Sequence, residues 1–252
     1  MGNVPEIEKS DKLTFIGHLG ELRQRLVKCL IALVITTIVS FVFAEHIFHI
    51  LILPAGDINL IFIEMTEMIG AYMRLSLASG IVLAMPYLVY QLLMFISPAL
   101  AHQEKKYLYL ILPWITLMFI AGVAFGYFIL LPPATKFLLT WGSNIATPQI
   151  KIGNYISIVA RLLVASGAVF ETPVIILFLA KLGIVTPKML SRKRKHAIVA
   201  AFILAAIITP TFDPVNQSLV AVPLIVLYEM SIWLAKLVKR KEARVVTPVP
   251  SP

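Results

Sequence analysis

The sequence predicts an all-α, polytopic membrane protein with six transmembrane helices. Three observations lead to this prediction: 59% of the 252 residues are hydrophobic, only 14% are charged, and the mean hydropathy is +0.90. Soluble domains contain about 25% charged residues, so the composition indicates a membrane protein. The net charge of +9 comes from short basic clusters between apolar runs. Such clusters are typical of membrane orientation signals and argue against nucleic-acid binding.

Six apolar stretches follow one another, and the first four reach the roughly 20 residues that a helix needs to cross the bilayer. Between Lys195 and Lys236 the chain must cross, turn and return. This leaves the fifth and sixth helices about 15–18 residues each, so we expect a short hairpin that thins the bilayer. The spans form one domain, 1–240, followed by a disordered cytoplasmic tail, 241–252. The predicted spans are 26–44, 68–96, 107–131, 155–180, 196–209 and 217–235.

The basic residues predict the orientation of these spans. Of the 22 lysines and arginines, eighteen flank one side of the membrane, two flank the other, and Arg74 and Arg161 lie inside spans. The positive-inside rule therefore places both termini in the cytoplasm. We expect the N-terminal segment to be neither a cleavable signal peptide nor a transit peptide, and a prokaryotic plasma membrane is the simplest location.

Glycines and prolines mark the predicted helix interiors. Gly122 and Gly126 form a GxxxG pattern on the third span, which favours close helix packing. A proline inside a span frees a carbonyl and bends the helix. Such prolines are Pro86, Pro113, Pro173 and Pro223.

The segment from Phe15 to Leu26 enters the first span with helical periodicity. His18, Glu21 and Arg25 share one side, and apolar residues share the other. We expect an amphipathic helix that lies on the cytoplasmic surface and then turns into the membrane. Glu21 either pairs with Arg25 one turn later or binds a ligand, and the spacing leaves both interpretations open.

Three further polar residues flank predicted helices. Glu104 would lie in the first turn of the third span, where it either complements the helix dipole or serves a binding role. Asp213 and Gln217 flank the turn between the last two spans, where Asp213 is expected to cap the sixth helix.

Glu171 lies well inside the fourth span, next to Pro173. A carboxylate at this depth costs about 2.5–3.5 kcal/mol, so we expect it to be protonated, paired or facing a wet cavity. Arg161 lies ten residues earlier, about 15 Å along the helix, and is too far away to pair with it. We therefore favour a functional role for Glu171. Arg74 and Arg161 have no role that the sequence indicates.

Catalytic and metal-binding patterns are missing from the sequence. It has no GxSxG, no HExxH, no phosphate-binding loop and a single cysteine. We expect no enzyme, no metal site and no cofactor. The residues leave open a proton- or cation-coupled secondary transporter, or a channel, that uses Glu171 as its ion site.

Taken together, the motifs resemble the TatC family, the core receptor subunit of the Sec-independent, twin-arginine protein translocase. The resemblance extends from about Leu13 to Lys239. Four segments carry it: His18-Leu19-Gly20-Glu21-Leu22-Arg23, Phe95-Ile96-Ser97-Pro98-Ala99-Leu100 with Glu104, Phe170-Glu171-Thr172-Pro173, and Thr209-Pro210 with Asp213 and Gln217.

The resemblance implies a concave, cupped bundle that binds twin-arginine signal peptides of folded proteins on its cytoplasmic face. Glu21 and Glu104 would bind the paired arginines, because a guanidinium can engage a carboxylate with two donors and a lysine cannot. Other residues would shape this site: His18, Leu19, Arg23, Phe95 and Pro98.

The resemblance also implies partners inside the membrane. Single-span subunits of the TatA and TatB type would dock at the outer hairpin and the fifth and sixth spans, with several copies per complex. Six helices, each about 10 Å wide, are too few to enclose a pore for a folded protein. The family implies that the proton-motive force drives export. The residues implied in intramembrane contacts are Phe170, Glu171, Pro173, Asp213 and Gln217.

Overall fold

The computed structural model describes the backbone of residues 6–56, 60–96, 105–140, 145, 149–209 and 214–245. Within these residues the chain is mostly helical, and two short strands form the only sheet. The helices are α1 Glu6–Val42, α2 Ala44–Ile52, α3 Glu67–Ile96, α4 Lys105–Phe125, α5 Leu131–Thr140, α6 Ile152–Phe170, α7 Thr172–Lys181, α8 Pro187–Arg192, α9 Arg194–Ile208 and α10 Pro214–Val245. The strands are β1 Leu60–Ile61 and β2 Ile150–Lys151.

Five stretches of the described chain are long and apolar enough to cross a membrane. In the first of them only 6% of the residues are buried inside the protein, so its apolar side chains need a lipid environment. The chain is therefore a multi-pass membrane protein. The stretches are Gly20–Val42, Glu67–Phe95, Leu112–Thr140, Ile152–Lys181 and Gln217–Leu237.

The predicted fifth span corresponds to α9, which has 15 residues and is about 22 Å long. The prediction that the sixth span has only about 15–18 residues is wrong, because its apolar stretch has 21 residues within a 32-residue helix. Pro223 lies inside α10 and does not end it. Helix-forming Lys, Arg, Glu and Ala residues then extend α10 to Val245, into the segment 241–252 for which we predicted disorder.

The predicted turn between a surface helix and the first span is also wrong. Helix α1 runs without interruption from Glu6 to Val42. Two glycines, Gly17 and Gly20, lie within it, and each costs about 1 kcal/mol relative to alanine without breaking the hydrogen-bond ladder. Packing of α1 along α3 offsets this cost.

The third span extends further than predicted, to Thr140 rather than 131. A π-helical segment, Gly126–Leu130, connects α4 to α5, and the Leu131 N–H donates to the Gly126 carbonyl. The wider π turn accommodates Pro132 and Pro133, which cannot donate backbone hydrogen bonds.

Helices α3 and α6 form the centre of the bundle, with α1 and α4 packed against α3, and α4 also against α6. The GxxxG pattern makes the contact between α4 and α6 close, as predicted. A Cβ atom added at Gly122 would lie 2.7 Å from the Phe170 Cβ and 2.7 Å from the Ser166 carbonyl oxygen. Beyond this core, α10 packs on α7 and α9.

One end of the bundle is closed by α2 and the two-stranded sheet. The strands pair in parallel, with Leu60 opposite Ile150. Two tyrosine hydroxyls tie α2 to the helices below it: Tyr127 donates to the Ile50 carbonyl and Tyr155 to the Leu51 carbonyl, each at 2.7 Å. We call this end of the molecule the capped end.

Candidate functional site

The candidate binding site lies at the opposite end, where α1 crosses the last turns of α3. Arg25 joins the two helices. Its Nη2 and Nε donate to Glu21 Oε1 at 2.6 and 3.0 Å, and its Nη1 donates to Gln91 Oε1 at 3.1 Å. Gln91 in turn donates to the Tyr87 hydroxyl at 2.7 Å. Glu21 therefore forms the i,i+4 pair that its spacing allowed, and a buried glutamine fixes that pair against α3.

Close packing deeper in the bundle sets the position of α1 on α3. The Thr36 hydroxyl donates to the Gly80 carbonyl at 2.9 Å. A Cβ atom at Gly80 would lie 2.7 Å from the Thr37 Cα, so only glycine permits this approach. The approach brings Arg25 within reach of Gln91, a residue that the sequence analysis did not single out. The sequence feature that could have identified Gln91 is a single amide side chain within an apolar run.

The other predicted residues of this site are only partly described. Phe95 is half-buried and lies one turn beyond Gln91 on α3. Arg23 is exposed and lines a surface cleft that also contains Lys28, so this side of α1 is basic. Glu104 and Pro98 lie outside the described residues, as do the side chains of His18 and Leu19.

Glu171 lies at the break between α6 and α7. Pro173 occupies the first turn of α7, and Glu171 is the residue immediately before this helix. Its side chain is 1% exposed, and neither carboxylate oxygen has a hydrogen-bond partner among the described residues. The predicted contact between Glu171 and a partner helix stays a prediction. Phe170 beside Glu171 packs against Phe125, with ring centroids 5.3 Å apart and the ring planes tilted by 37°.

Gln217 holds the last two helices together. Its Nε2 donates to the Phe202 carbonyl of α9 at 3.0 Å. At the other end of the same hairpin, Arg194 forms an ion pair with Glu229: Nε lies 2.7 Å from Oε1, and Nη2 donates to Oε2 at 2.9 Å. The amide expected to contact a partner is thus used within the chain. Asp213 lies outside the described residues.

A second polar cluster, which sequence reasoning missed, lies at the capped end. Glu67 Oε2 accepts from the Ile63 N–H at 3.0 Å, and its Oε1 accepts from the Gly153 N–H at 3.4 Å. Arg74 Nη1 donates to Ser157 Oγ at 3.1 Å and to the Gly153 carbonyl at 3.4 Å. Among the described residues, no three His, Cys, Asp or Glu side chains are placed to hold a metal ion.

The family of the chain follows from comparison with known proteins. A family model described as Sec-independent protein translocase protein (TatC) matches residues 17–223. The chain belongs to the TatC family. The TatC protein of Carboxydothermus hydrogenoformans is 39% identical over 91% of this chain and 96% of its own length. The TatC protein of Aquifex aeolicus is 42% identical over 90% of this chain and 97% of its own length.

The TatC fold is also shared with solved structures. A crystal structure of a twin-arginine translocase receptor, TatC, is 42% identical and superposes with a TM-score of 0.77, covering 87% of this chain and 98% of the other. The resemblance inferred from the sequence is thereby confirmed. TatC proteins are membrane components of a protein translocase and not enzymes, so the chain serves protein transport.

Proposed function

We propose that the chain is the receptor subunit of a twin-arginine translocase and that it binds the signal peptides of folded proteins through Glu21 and Glu104. The observation that carries this proposal is the Glu21 carboxylate, which is fixed by Arg25 and Gln91 at the junction of α1 and α3. Its side chain is 33% exposed and remains accessible to a ligand.

The chemistry of this carboxylate suits an arginine ligand. Both Arg25 donors reach the same oxygen, Oε1. A carboxylate has about four lone-pair sites, so a second guanidinium can share Glu21 with Arg25. Glu104 would supply the second carboxylate. The basic cleft around Arg23 would repel a twin-arginine motif, which favours its approach on the side of α1 that faces α3.

The proposed membrane topology determines on which side of the membrane this site lies. In our proposal α9 crosses the membrane as a sixth span of about 22 Å, and the hairpin contacts of Gln217 and Arg194 stabilise it beside the longer α10. Six crossings and the distribution of basic residues would place both termini, and with them Glu21, in the cytoplasm of a prokaryote. Signal peptides arrive from that side.

Partner subunits of the TatA and TatB type would dock on α9 and the adjacent turn, in several copies per complex, to form a path driven by the proton-motive force. The support is a face of α9 that is apolar and exposed at Ile198, Val199, Ile203 and Ile207. Glu171, with Phe170 and Pro173, would take part only after a rearrangement that opens its pocket, and Asp213 and Gln217 would border the docking surface.

Export of a folded reporter with a twin-arginine signal peptide tests this function. We expect Glu21→Gln with Glu104→Gln to lower export at least about tenfold, because each charge-assisted hydrogen bond is worth about 1.5–3 kcal/mol. The matched control is Glu45→Gln, which neutralises an exposed acid in the first turn of α2. Unchanged export by a normally inserted double variant would disprove the role of these carboxylates.

A proton- or cation-coupled transporter is the second candidate function, and the buried carboxyl of Glu171, which has no hydrogen-bond partner among the described residues, favours it. It predicts solute or proton flux through vesicles that contain this chain alone, abolished by Glu171→Gln. A receptor without a pore predicts no such flux, so the same vesicles distinguish the two functions.

A further inference from the structure

Two arginines inside apolar spans, Arg74 and Arg161, lie on one face of the bundle near the capped end. Arg74 on α3 reaches across to Ser157 on α6, with 3.1 Å between Nη1 and Oγ. Arg161 lies four residues after Ser157, one turn along the same face and about 6 Å further into the span. Both arginine side chains are exposed.

These two positive charges are not neutralised within the described part of the chain. Neither arginine forms an ion pair there. Among the described residues, Arg74 donates only to a hydroxyl and a backbone carbonyl, and Arg161 has no polar contact. The nearby acid, Glu67, accepts from two backbone N–H groups instead. Lys151, just before α6, adds a further positive charge to this end.

The depth of the two arginines sets which surface they can reach. Arg74 is seven residues from the start of α3 and Arg161 nine from the start of α6, about 10 and 14 Å along their helices. Both helices begin at the capped end, because Glu67 and Arg74 contact Gly153 in the first turn of α6. Helical side chains point toward the helix N-terminus, so both guanidinium groups extend toward the headgroups at that end.

We propose that Arg74 and Arg161 together bind the phosphate of an anionic phospholipid in the leaflet at the capped end. A guanidinium fork engages phosphate oxygens with two donors, and Ser157 holds one of the forks in place. The exposed side chains of Ile69, Met73 and Leu77 on α3 offer an apolar surface beside Arg74 for the acyl chains. A zwitterionic lipid fits less well because it brings its own ammonium group.

A carboxylate from a partner helix is the competing occupant. To reach the same depth, that carboxylate would itself have to leave water, which is costly inside the hydrocarbon core. A lipid phosphate is already present at the membrane surface, where the two arginines extend, and only its position has to be fixed. The charge and the reach of the side chains therefore favour the lipid.

Native mass spectrometry of the full chain, titrated with phosphatidylglycerol or phosphatidylethanolamine of identical acyl chains, tests the proposal. We expect the wild type to bind phosphatidylglycerol about tenfold more tightly than phosphatidylethanolamine, and Arg74→Gln with Arg161→Gln to remove this preference. Arg161→Lys keeps the positive charge but lacks the two-donor guanidinium fork, so this variant should retain part of the preference for phosphatidylglycerol. The matched control is Lys136→Gln, which removes an exposed charge from α5 and should behave as the wild type.

A second measurement keeps the test independent of how well the double variant folds. Arg161 has no polar contact to lose within the described ranges, so we expect Arg161→Gln to fold normally. Phosphatidylglycerol added to phosphatidylcholine nanodiscs should raise the unfolding midpoint of the wild type and not that of Arg161→Gln. Inorganic phosphate should raise neither. Equal binding of both lipids by the wild type, an equal loss in Lys136→Gln, or a full effect of inorganic phosphate would each overturn the assignment.

Discussion

At the level of single residues, one arginine connects the two helices that form the candidate binding site. Arg25 donates to Glu21 on its own helix and to Gln91 on α3, so the position of the candidate ligand carboxylate depends on packing between helices. Gln91 is 7% exposed and donates to Tyr87 as well. The amide thus supports Glu21 indirectly, through Arg25.

We predict that Gln91→Met, which keeps the size and removes both hydrogen bonds, lowers the free energy of unfolding by about 1–3 kcal/mol, because each of the two hydrogen bonds that the buried amide makes with Arg25 and Tyr87 contributes about 0.5–1.5 kcal/mol. Thermal unfolding in detergent measures this change. Gln24→Met is the control, since Gln24 is exposed on α1. Equal stability of the two variants would show that the Arg25–Gln91 contact contributes nothing.

Glu171 shows what a sequence can predict about one residue and what it cannot. Hydropathy alone indicated that this carboxyl group lies deep in an apolar span, where a charge is costly. The structure buries the side chain, and it has no hydrogen-bond partner among the described residues. Whether the Glu171 side chain is covered depends on how α4, α6 and α7 pack together. The sequence of a single helix does not determine this packing.

At the level of elements, the contact between α4 and α6 is set by small residues. Gly122 on α4 and Gly126 at the start of the π-helical segment face Ser166 and Gly167 on α6, and both sides lack the bulk that would separate the helices. The GxxxG spacing predicted this approach but not its partner helix.

We predict that Gly122→Ala destabilises the protein by about 1–3 kcal/mol, because the new methyl group would overlap the Ser166 carbonyl of the neighbouring backbone. Gly70→Ala on α3 is the matched control. A Cβ there meets nothing within 4 Å, so it should be neutral or stabilising. Unfolding midpoints of both variants in one detergent give the comparison. The close-packing account fails if Gly122→Ala is as stable as Gly70→Ala.

At the level of the whole molecule, five of the six spans predicted from hydropathy correspond to stretches that are long and apolar enough to cross a membrane, because the bilayer imposes their length and composition. Hydropathy could not predict that α1 is continuous or that α10 is long, since polar helical residues outside the membrane leave no hydropathy signal. The cluster of Glu67, Arg74 and Ser157 joins residues 79 to 86 positions apart, and such pairing follows only from the packed bundle.

The two ends of the bundle differ in structure. The capped end is fastened by α2, the two strands and tyrosine hydroxyls, and carries the exposed arginines. The other end carries Glu21 on a helix that extends beyond the membrane stretch. A receptor needs such an accessible end, whereas a pore would need a polar path through the middle of the bundle.

The most direct test of the receptor function is site-specific photocrosslinking of a signal peptide to positions flanking Glu21 and Glu104 in membranes that contain the full chain. We predict that an Arg-Arg peptide crosslinks strongly and that a Lys-Lys peptide of the same charge crosslinks at least about tenfold less, because a lysine cannot engage a carboxylate with two donors. Glu21→Gln with Glu104→Gln should lower the Arg-Arg signal to the Lys-Lys level. Equal crosslinking of both peptides, unaffected by the double substitution, would contradict the account.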